Sequence, residues 1–327
     1  VDCSIVFNGQ VIVARGGDIH RGTTSGSFTS LTTGLGTATR AYDFEKFNFN
    51  GTDKLIIATG HSPAQIIDSS FSVDVVNATG GGTAPSNPKF VKAFQNHMFY
   101  AGATNSQEVI FSVPFAEDNF TSASGAGSFR VDSTVVGLKV FRNELIVFCE
   151  TRIFKLSGSS SSNFAVADVT RDIGCINGDT IQEFAGDLIF LGPDGLRTIA
   201  GTARIGDVEL GTISSNVQSL FDENISNATA FDSVVIPEKT QYRLFFSKDA
   251  GSESLTEGII CVLKGGSGGQ SNYEFSRIKG IKPACTDTFI TSGDVLALHG
   301  GFDGYVYRQE EGATFDGSAI NGKYRSP

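Results

Sequence analysis

Phe47-Asn48-Phe49-Asn50-Gly51, then Leu55-Ile56-Ile57-Ala58-Thr59-Gly60, then Ala64-Gln65-Ile66-Ile67-Asp68, is the stretch whose reading decides the fold. A short apolar run ends in an aromatic, a two-residue turn follows, and a second apolar run leads through a Gly-containing turn to a third. Asn-Gly adopts positive φ at little cost, so it joins two strands as a tight hairpin. Runs this short, bounded by turn residues, are strands rather than helices. The unit is therefore an antiparallel meander.

The same unit recurs in both directions. Upstream, Val6-Phe7-Asn8-Gly9-Gln10 leads to Val11-Ile12-Val13-Ala14 and Ile19-His20-Arg21. Downstream, Ala93-Phe94-Gln95-Asn96-His97 precedes Met98-Phe99-Tyr100-Ala101, and Val140-Phe141-Arg142-Asn143-Glu144 precedes Leu145-Ile146-Val147-Phe148. Phe184-Ala185-Gly186-Asp187 precedes Leu188-Ile189-Phe190-Leu191-Gly192, and Thr288-Phe289-Ile290-Thr291-Ser292-Gly293-Asp294 precedes Val295-Leu296-Ala297-Leu298. A looser copy runs through Ser233-Val234-Val235-Ile236-Pro237, Tyr242-Arg243-Leu244-Phe245-Phe246 and Gly258-Ile259-Ile260-Cys261-Val262-Leu263. First turns fall near Asn8, Asn50, Asn96, Asn143, Gly186, Lys239 and Ser292, at a spacing of roughly 42 to 54 residues, the period of a four-stranded propeller blade. A fourth strand is weaker in the pattern, as in Phe71-Ser72-Val73-Asp74-Val75-Val76.

The fold expected is all-β, a β-propeller of about six to seven blades with one short helix between blades. Two packed sandwiches are the alternative, but they do not require the repeated Gly after the second strand. The helix is expected between the fifth and sixth units, where Ser214-Ser215 offers N-caps and Val217, Leu220, Phe221 and Ile225 fall at helical spacing. Residues 1–319 are expected to form one domain, with 320–327 as an extended exit segment. No initiator Met opens the sequence, and Asn321–Pro327 reads as broken off in mid-course, which predicts a processed or partial chain. Gly80–Gly82, Ser157–Ser162 and Gly265–Gly269 are expected to be flexible surface connections.

Composition agrees with many short strands joined by turns. The 327 residues include 39 Gly and 27 Phe, with one Met and no Trp. Hydrophobic residues at 40% exclude a disordered chain, and no apolar run reaches the roughly 18 residues of a membrane-spanning helix. The 35 acidic against 25 basic residues give a net charge of -10, which argues against a groove that clamps nucleic acid by neutralising phosphates.

Chemical signatures are sparse. Gly265-Gly266-Ser267-Gly268-Gly269 satisfies the pattern of a nucleophile elbow, but the strand expected at Tyr273–Ile278 stands where that elbow needs a helix. His20, His61, His97 and His299 are far apart in sequence; His20, His61 and His299 all lie at or beyond the end of a second strand, so a common mouth is conceivable, against plain turn or surface positions. The carboxylates of Asp187, Asp194 and Asp303 sit in turns, where Asp serves the backbone. Cys3, Cys149, Cys175, Cys261 and Cys285 show no metal spacing and read as small buried hydrophobes. No catalytic, cofactor-binding or metal-binding residue is assigned, and no cofactor is expected. The absence of Trp removes the signature residues of WD40, kelch and sialidase propellers.

One passage carries a resemblance. Ile173-Gly174-Cys175-Ile176, Leu188-Ile189-Phe190-Leu191-Gly192-Pro193-Asp194-Gly195-Leu196 and Leu210-Gly211-Thr212-Ile213-Ser214-Ser215-Asn216-Val217 follow one another in the order seen in the tail nozzle (tail tubular protein B) and packaged-DNA stabilisation proteins of short-tailed bacteriophages. Pro88-Lys89-Phe90-Val91, Ile110–Phe115 and Tyr324-Arg325-Ser326-Pro327 resemble the same family. The resemblance implies a structural virion protein of the phage tail, not an enzyme. It implies a ring of six copies that closes the DNA channel and releases the genome at ejection. Implied partners are other copies of the chain, a tail adaptor or portal-proximal protein, tail fibres or spikes, and genomic DNA that passes through the lumen without sequence-specific binding. Acidic loops at Glu108, Glu117-Asp118 and Asp249–Glu257 are candidates for the lumen wall. The competing readings are a carbohydrate-binding or hydrolysing propeller and a generic protein-interaction scaffold.

Overall fold

The computed structural model describes residues 1–23, 26–36, 42–199, 212–248, 256–265, 271–291, 294–309, 312, 314–315 and 318–319. Seven antiparallel meanders follow one another along the chain. The first four are β1–β4 (Cys3–Phe7, Gln10–Arg15, Asp18–Gly22, Thr29–Thr32), β5–β8 (Asp43–Phe49, Thr52–Ala58, Gln65–Asp68, Val73–Val75), β9–β12 (Phe90–Phe94, His97–Ala101, Glu108–Phe111, Gly127–Arg130) and β13–β16 (Val135–Phe141, Glu144–Cys149, Ile153–Ser157, Ala165–Thr170). The fifth is β17–β19 (Gln182–Phe184, Asp187–Gly192, Gly195–Thr198) and the sixth β20–β23 (Ala230–Ile236, Gln241–Ser247, Thr256–Gly265, Ser271–Ile278). The seventh is β24–β26 (Cys285–Thr291, Asp294–Gly300, Val306–Arg308), after which β27 (Thr314–Phe315) and β28 (Ser318–Ala319) form a small hairpin. The fold is a seven-bladed β-propeller, all-β apart from one short α-helix among the described residues.

The first turns are what the sequence requires. Positive φ occurs at both central residues of Asn8-Gly9, Asn50-Gly51, Gln95-Asn96, Arg142-Asn143 and Ala185-Gly186, which is the twist that matches flanking strands in a two-residue hairpin. The sixth unit differs: a 3-10 turn at Pro237–Lys239 ends in Thr240 in the left-handed region. The seventh turn, at Ser292-Gly293, lies outside the described residues.

Second strands are buried on both faces, as in His97–Ala101 and Leu188–Gly192, because each blade is sandwiched between two others. Among the described residues the core divides into seven clusters, one for each seam. Ile12 and Ile19 meet Leu55 and Ile57 between blades one and two. Phe99 and Phe111 meet Leu138 and Val147 between three and four, and Val11 and Val13 meet Cys285 between one and seven. The remaining four clusters fill the other seams. The ring closes by packing β1 against β24, and the Val1 nitrogen donates to the Gly301 carbonyl at 3.0 Å.

Three local expectations are corrected. The helix is α1 (Gln218–Ile225), preceded by a 3-10 turn at Ser215–Val217. Ser214 does not cap it: its hydroxyl is buried and accepts the Leu196 N–H at 3.1 Å instead. Gly80–Gly82 is pinned rather than free, since Phe120 N–H donates to Gly81 O at 2.8 Å and the Thr121 hydroxyl to Gly80 O at 3.3 Å. The serine loop at Ser157–Ser162 is likewise closed, by Asn163, whose Oδ1 accepts from Ser159 N–H and Ser160 N–H at 2.9 Å each. Of the third connection, 266–269 lie outside the described residues, as does the exit segment 320–327.

Candidate functional site

The first strand of every blade lines the propeller axis, and there the sequence places charge. Two adjoining cavities of about 630 Å³ each lie along the axis. They share Gln182, Ser233, Thr286 and Asp287. Asp43, Lys92, Lys139, Asp179, Asp232 and Asp287 face one of them, each from a different blade or joint. Alternation along a strand explains the pattern: one residue in two on the first strand points away from the seam.

Polar links across the seams hold several of the first strands together here. Asp43 Oδ2 accepts Val91 N–H at 2.9 Å, and Glu45 accepts Ala93 N–H at 3.2 Å while pairing with Lys92. Gln182 Nε2 donates to Ser233 O at 2.8 Å, and the Ser233 hydroxyl to Asp179 O at 2.6 Å. Lys46 Nζ reaches Val6 O at 3.3 Å, and the Thr288 hydroxyl reaches Val235 O at 2.8 Å.

Electrostatics follow from this enclosure. Burial pushes the Asp43 carboxyl up, opposed by the Val91 N–H. Burial works against the Lys92 charge, but the Glu45 carboxylate outweighs it and holds the ammonium above its ordinary range. Burial, and then repulsion from Lys92, holds Lys139 below it. Asp287, half-buried, is pushed up to about 7 by burial, against the Thr288 N–H that it accepts at 2.8 Å. A carboxyl raised in the folded state contributes stability that is fully present below its unfolded pKa of about 4 and is lost as pH rises through the folded value. Asp287→Asn is therefore expected to leave stability unchanged at pH 4 and to raise it at pH 8, by about 1–2 kcal/mol once half-exposure is allowed for. Urea unfolding at the two pH values checks this; an equal effect at both would contradict it.

The residues singled out in the sequence lie elsewhere. His97 is buried on β10 with Nδ1 2.6 Å from Ser112 O, and His299 is buried on β25 with its ring stacked 5.0 Å from Tyr307. Burial lowers His97 and takes His299 down to about 4. Only His61 touches the axial cavity, at its mouth, so the common mouth for His20, His61 and His299 is not formed. Among the described residues no three His, Cys, Asp or Glu side chains are placed to hold a metal ion. Cys149, Cys175, Cys261 and Cys285 are buried thiols, each pushed up to about 12 by burial.

The acidic loops are tied into the fold. Glu117 is buried and ion-paired with Lys54, and Asp118 accepts from the Thr79 hydroxyl. Glu108 is joined to Asn105 at 3.4 Å, and Glu257 pairs with Arg277, and with Lys279 at 3.8 Å. Residues 249–255 of the last loop lie outside the described residues, as does Ser267 of the elbow pattern; the strand expected after it is present as β23.

Around blade five, three separated pieces of sequence lock together. Cys175 N–H donates to Cys149 O and Ile176 N–H to Leu191 O, each at 2.9 Å. Leu191 N–H donates to the Thr180 hydroxyl at 3.1 Å. Ile213 N–H donates to Leu196 O at 2.9 Å, and Gln218 Nε2 to Asp194 O at 2.7 Å. Asp194 pairs with the buried Arg197, and Gly195 at φ 135° leaves no room for a β-carbon against the Ser214 hydroxyl.

Comparisons with known proteins bear on the fold. No protein-family model matches the chain, and no curated protein matches it. Solved structures do. The chain is similar to the AfRom2 CNH domain, with a TM-score of 0.51 at 8% identity over 94% of this chain and 93% of that one. It is also similar to the N-terminal domain of Nup159, with a TM-score of 0.44 at 9% identity over 93% of this chain and 87% of that one. A third likeness is to the extracellular domain of a putative one-component system, BT4673, from B. thetaiotaomicron, with a TM-score of 0.43 at 8% identity over 94% of this chain; the chain spans 39% of that structure's length. At such identities the likeness is one of fold alone.

Proposed function

We propose that the protein is a structural subunit of a short-tailed bacteriophage tail, of the nozzle type, assembling with copies of itself into a ring of about six that closes the DNA channel until ejection. One observation carries the reading. The pieces of sequence that resemble the nozzle family, Ile173–Ile176, Leu188–Leu196 and Thr212–Val217, hydrogen-bond to one another as a single unit around blade five. The resemblance thus falls on neighbouring parts of one blade and its joints.

Charge suits passage of nucleic acid. A net charge of -10 per chain, repeated around a ring, repels phosphate, so a duplex slides without a succession of contacts to break. The duplex runs through the lumen of the ring and not along the propeller axis, whose cavities of about 630 Å³ are of small-molecule size. A tail adaptor above and fibres or spikes at the side are the neighbours expected in the virion. Quantitative mass spectrometry of purified virions tests the proposal: the chain is expected at about six copies per particle, and its absence from particles would overturn it.

One observation favours a second reading. Tyr305 is 68% exposed, its ring 6.4 Å from that of Tyr307, with the Asp303 carboxylate held by Tyr305 N–H at 3.1 Å. An exposed aromatic beside a fixed acceptor suits a carbohydrate, and a glycan array separates this reading from the first.

A further inference from the structure

Several half-buried charges on the axial cavity lined by Asp43, Lys92 and Lys139 have polar partners. Lys92 has Glu45, Asp43 has the Val91 N–H, and Asp287 has the Thr288 N–H. Lys139 differs from these: among the described residues its ammonium makes no ion pair and no hydrogen bond. An ammonium carries three donors, and enclosing it without an acceptor is costly. Of the charges around it, the Lys92 ammonium on the next blade opposes its own, while the Asp43, Glu45 and Asp179 carboxylates favour it without bonding to it. An acceptor-only group beside Lys139 supplies the hydrogen bonds that its ammonium lacks.

The same cavity supplies apolar wall. Half-buried Ile5, Phe44 and Phe90 line it together with the lysines, and it opens beside the exposed His61 and Lys89. Its volume of about 630 Å³ suits a small organic molecule with one anionic end and an apolar body. Four aspartates on its wall, Asp43, Asp179, Asp232 and Asp287, limit the ligand to a single negative charge held at the lysine.

We propose that the axial cavity binds a small organic monocarboxylate, its carboxylate on Lys139 and its apolar body against Ile5, Phe44 and Phe90. The site is independent of ring assembly, so either proposal can fail without the other. Binding draws on a charge that the fold already encloses, and it draws Lys139 back toward its ordinary basicity.

Benzoate is the probe and benzyl alcohol its uncharged counterpart, each titrated into the whole chain by calorimetry or ligand-observed NMR. Benzoate is expected to bind with a dissociation constant of about 1 mM or lower, at least about tenfold tighter than the alcohol. Lys139→Gln is expected to remove that tenfold preference while leaving the alcohol unaffected, and Lys139→Arg to retain it. The wild-type comparison needs no variant, so misfolding cannot hide the answer. Benzoate binding no tighter than that of benzyl alcohol, benzoate binding unchanged by Lys139→Gln in a folded variant, or no benzoate binding at all would overturn the proposal.

Discussion

Gly174→Ala is expected to lower the free energy of unfolding by about 3 kcal/mol or more. Gly174 is buried where the chain leaves blade four for blade five, and a β-carbon there would overlap the Glu150 carbonyl and crowd the Cys149 oxygen. Both obstacles are backbone. Neither can retreat, because Cys149 O accepts the Cys175 N–H at 2.9 Å and the next residue, Ile176, donates to Leu191 at 2.9 Å. Relief must come from opening the joint, which loosens the interlocked unit around blade five. Chemical denaturation of the variant checks this through a lowered midpoint, and a loss below about 0.5 kcal/mol would show that the joint is soft.

Phe99→Ala is expected to cost about 3–5 kcal/mol. Phe99 is fully buried on the second strand of blade three, at the centre of a cluster of rings. Its centroid lies 5.2 Å from that of Phe111, 5.9 Å from Phe164, 6.0 Å from Phe94 and 6.3 Å from His97. These rings cannot collapse into the void, since Phe94 and Phe111 are held in strands β9 and β11 and Phe164 leads into β16. In a closed ring of blades each seam supports the next, so weakening the seam between blades three and four lowers the stability of the whole. Urea unfolding is expected to show a lower midpoint at an unchanged slope, with Phe99→Leu costing about 1–1.5 kcal/mol. A wild-type midpoint for the alanine variant would mean that the cluster contributes no cohesion.

The fold was legible because its signals are local. Asn8-Gly9 and Asn50-Gly51 state their own turn chemistry, and even Gln95-Asn96 and Arg142-Asn143 fall in the same place with the same positive φ. The helix was legible from the spacing of Leu220, Phe221 and Ile225, but not its start, because what decides the role of Ser214 is the Leu196 N–H, distant in sequence. Blade count was less legible: the sixth copy lacks an Asn or Gly turn, and Thr240 takes the left-handed position instead.

The axial site was the least legible part. Acidic loops attracted attention, yet Glu117 proved to be half of a seam-spanning pair with Lys54, an association that no spacing announces. The signal that does find the channel is a repeat position. Lys92 in Val91-Lys92-Ala93-Phe94, Lys139 in Leu138-Lys139-Val140-Phe141 and Gln182 in Gln182-Glu183-Phe184 all stand two residues before the aromatic that ends a first strand. A polar residue recurring at one position of an otherwise apolar strand marks the face that turns toward the axis.

The measurement that tests the proposed function most directly is the native mass of the purified chain over a range of concentrations, followed by negative-stain imaging of the particles. The nozzle reading predicts closed rings of about six copies around a central opening. Monomers at every concentration, with no ring in the images, would contradict it.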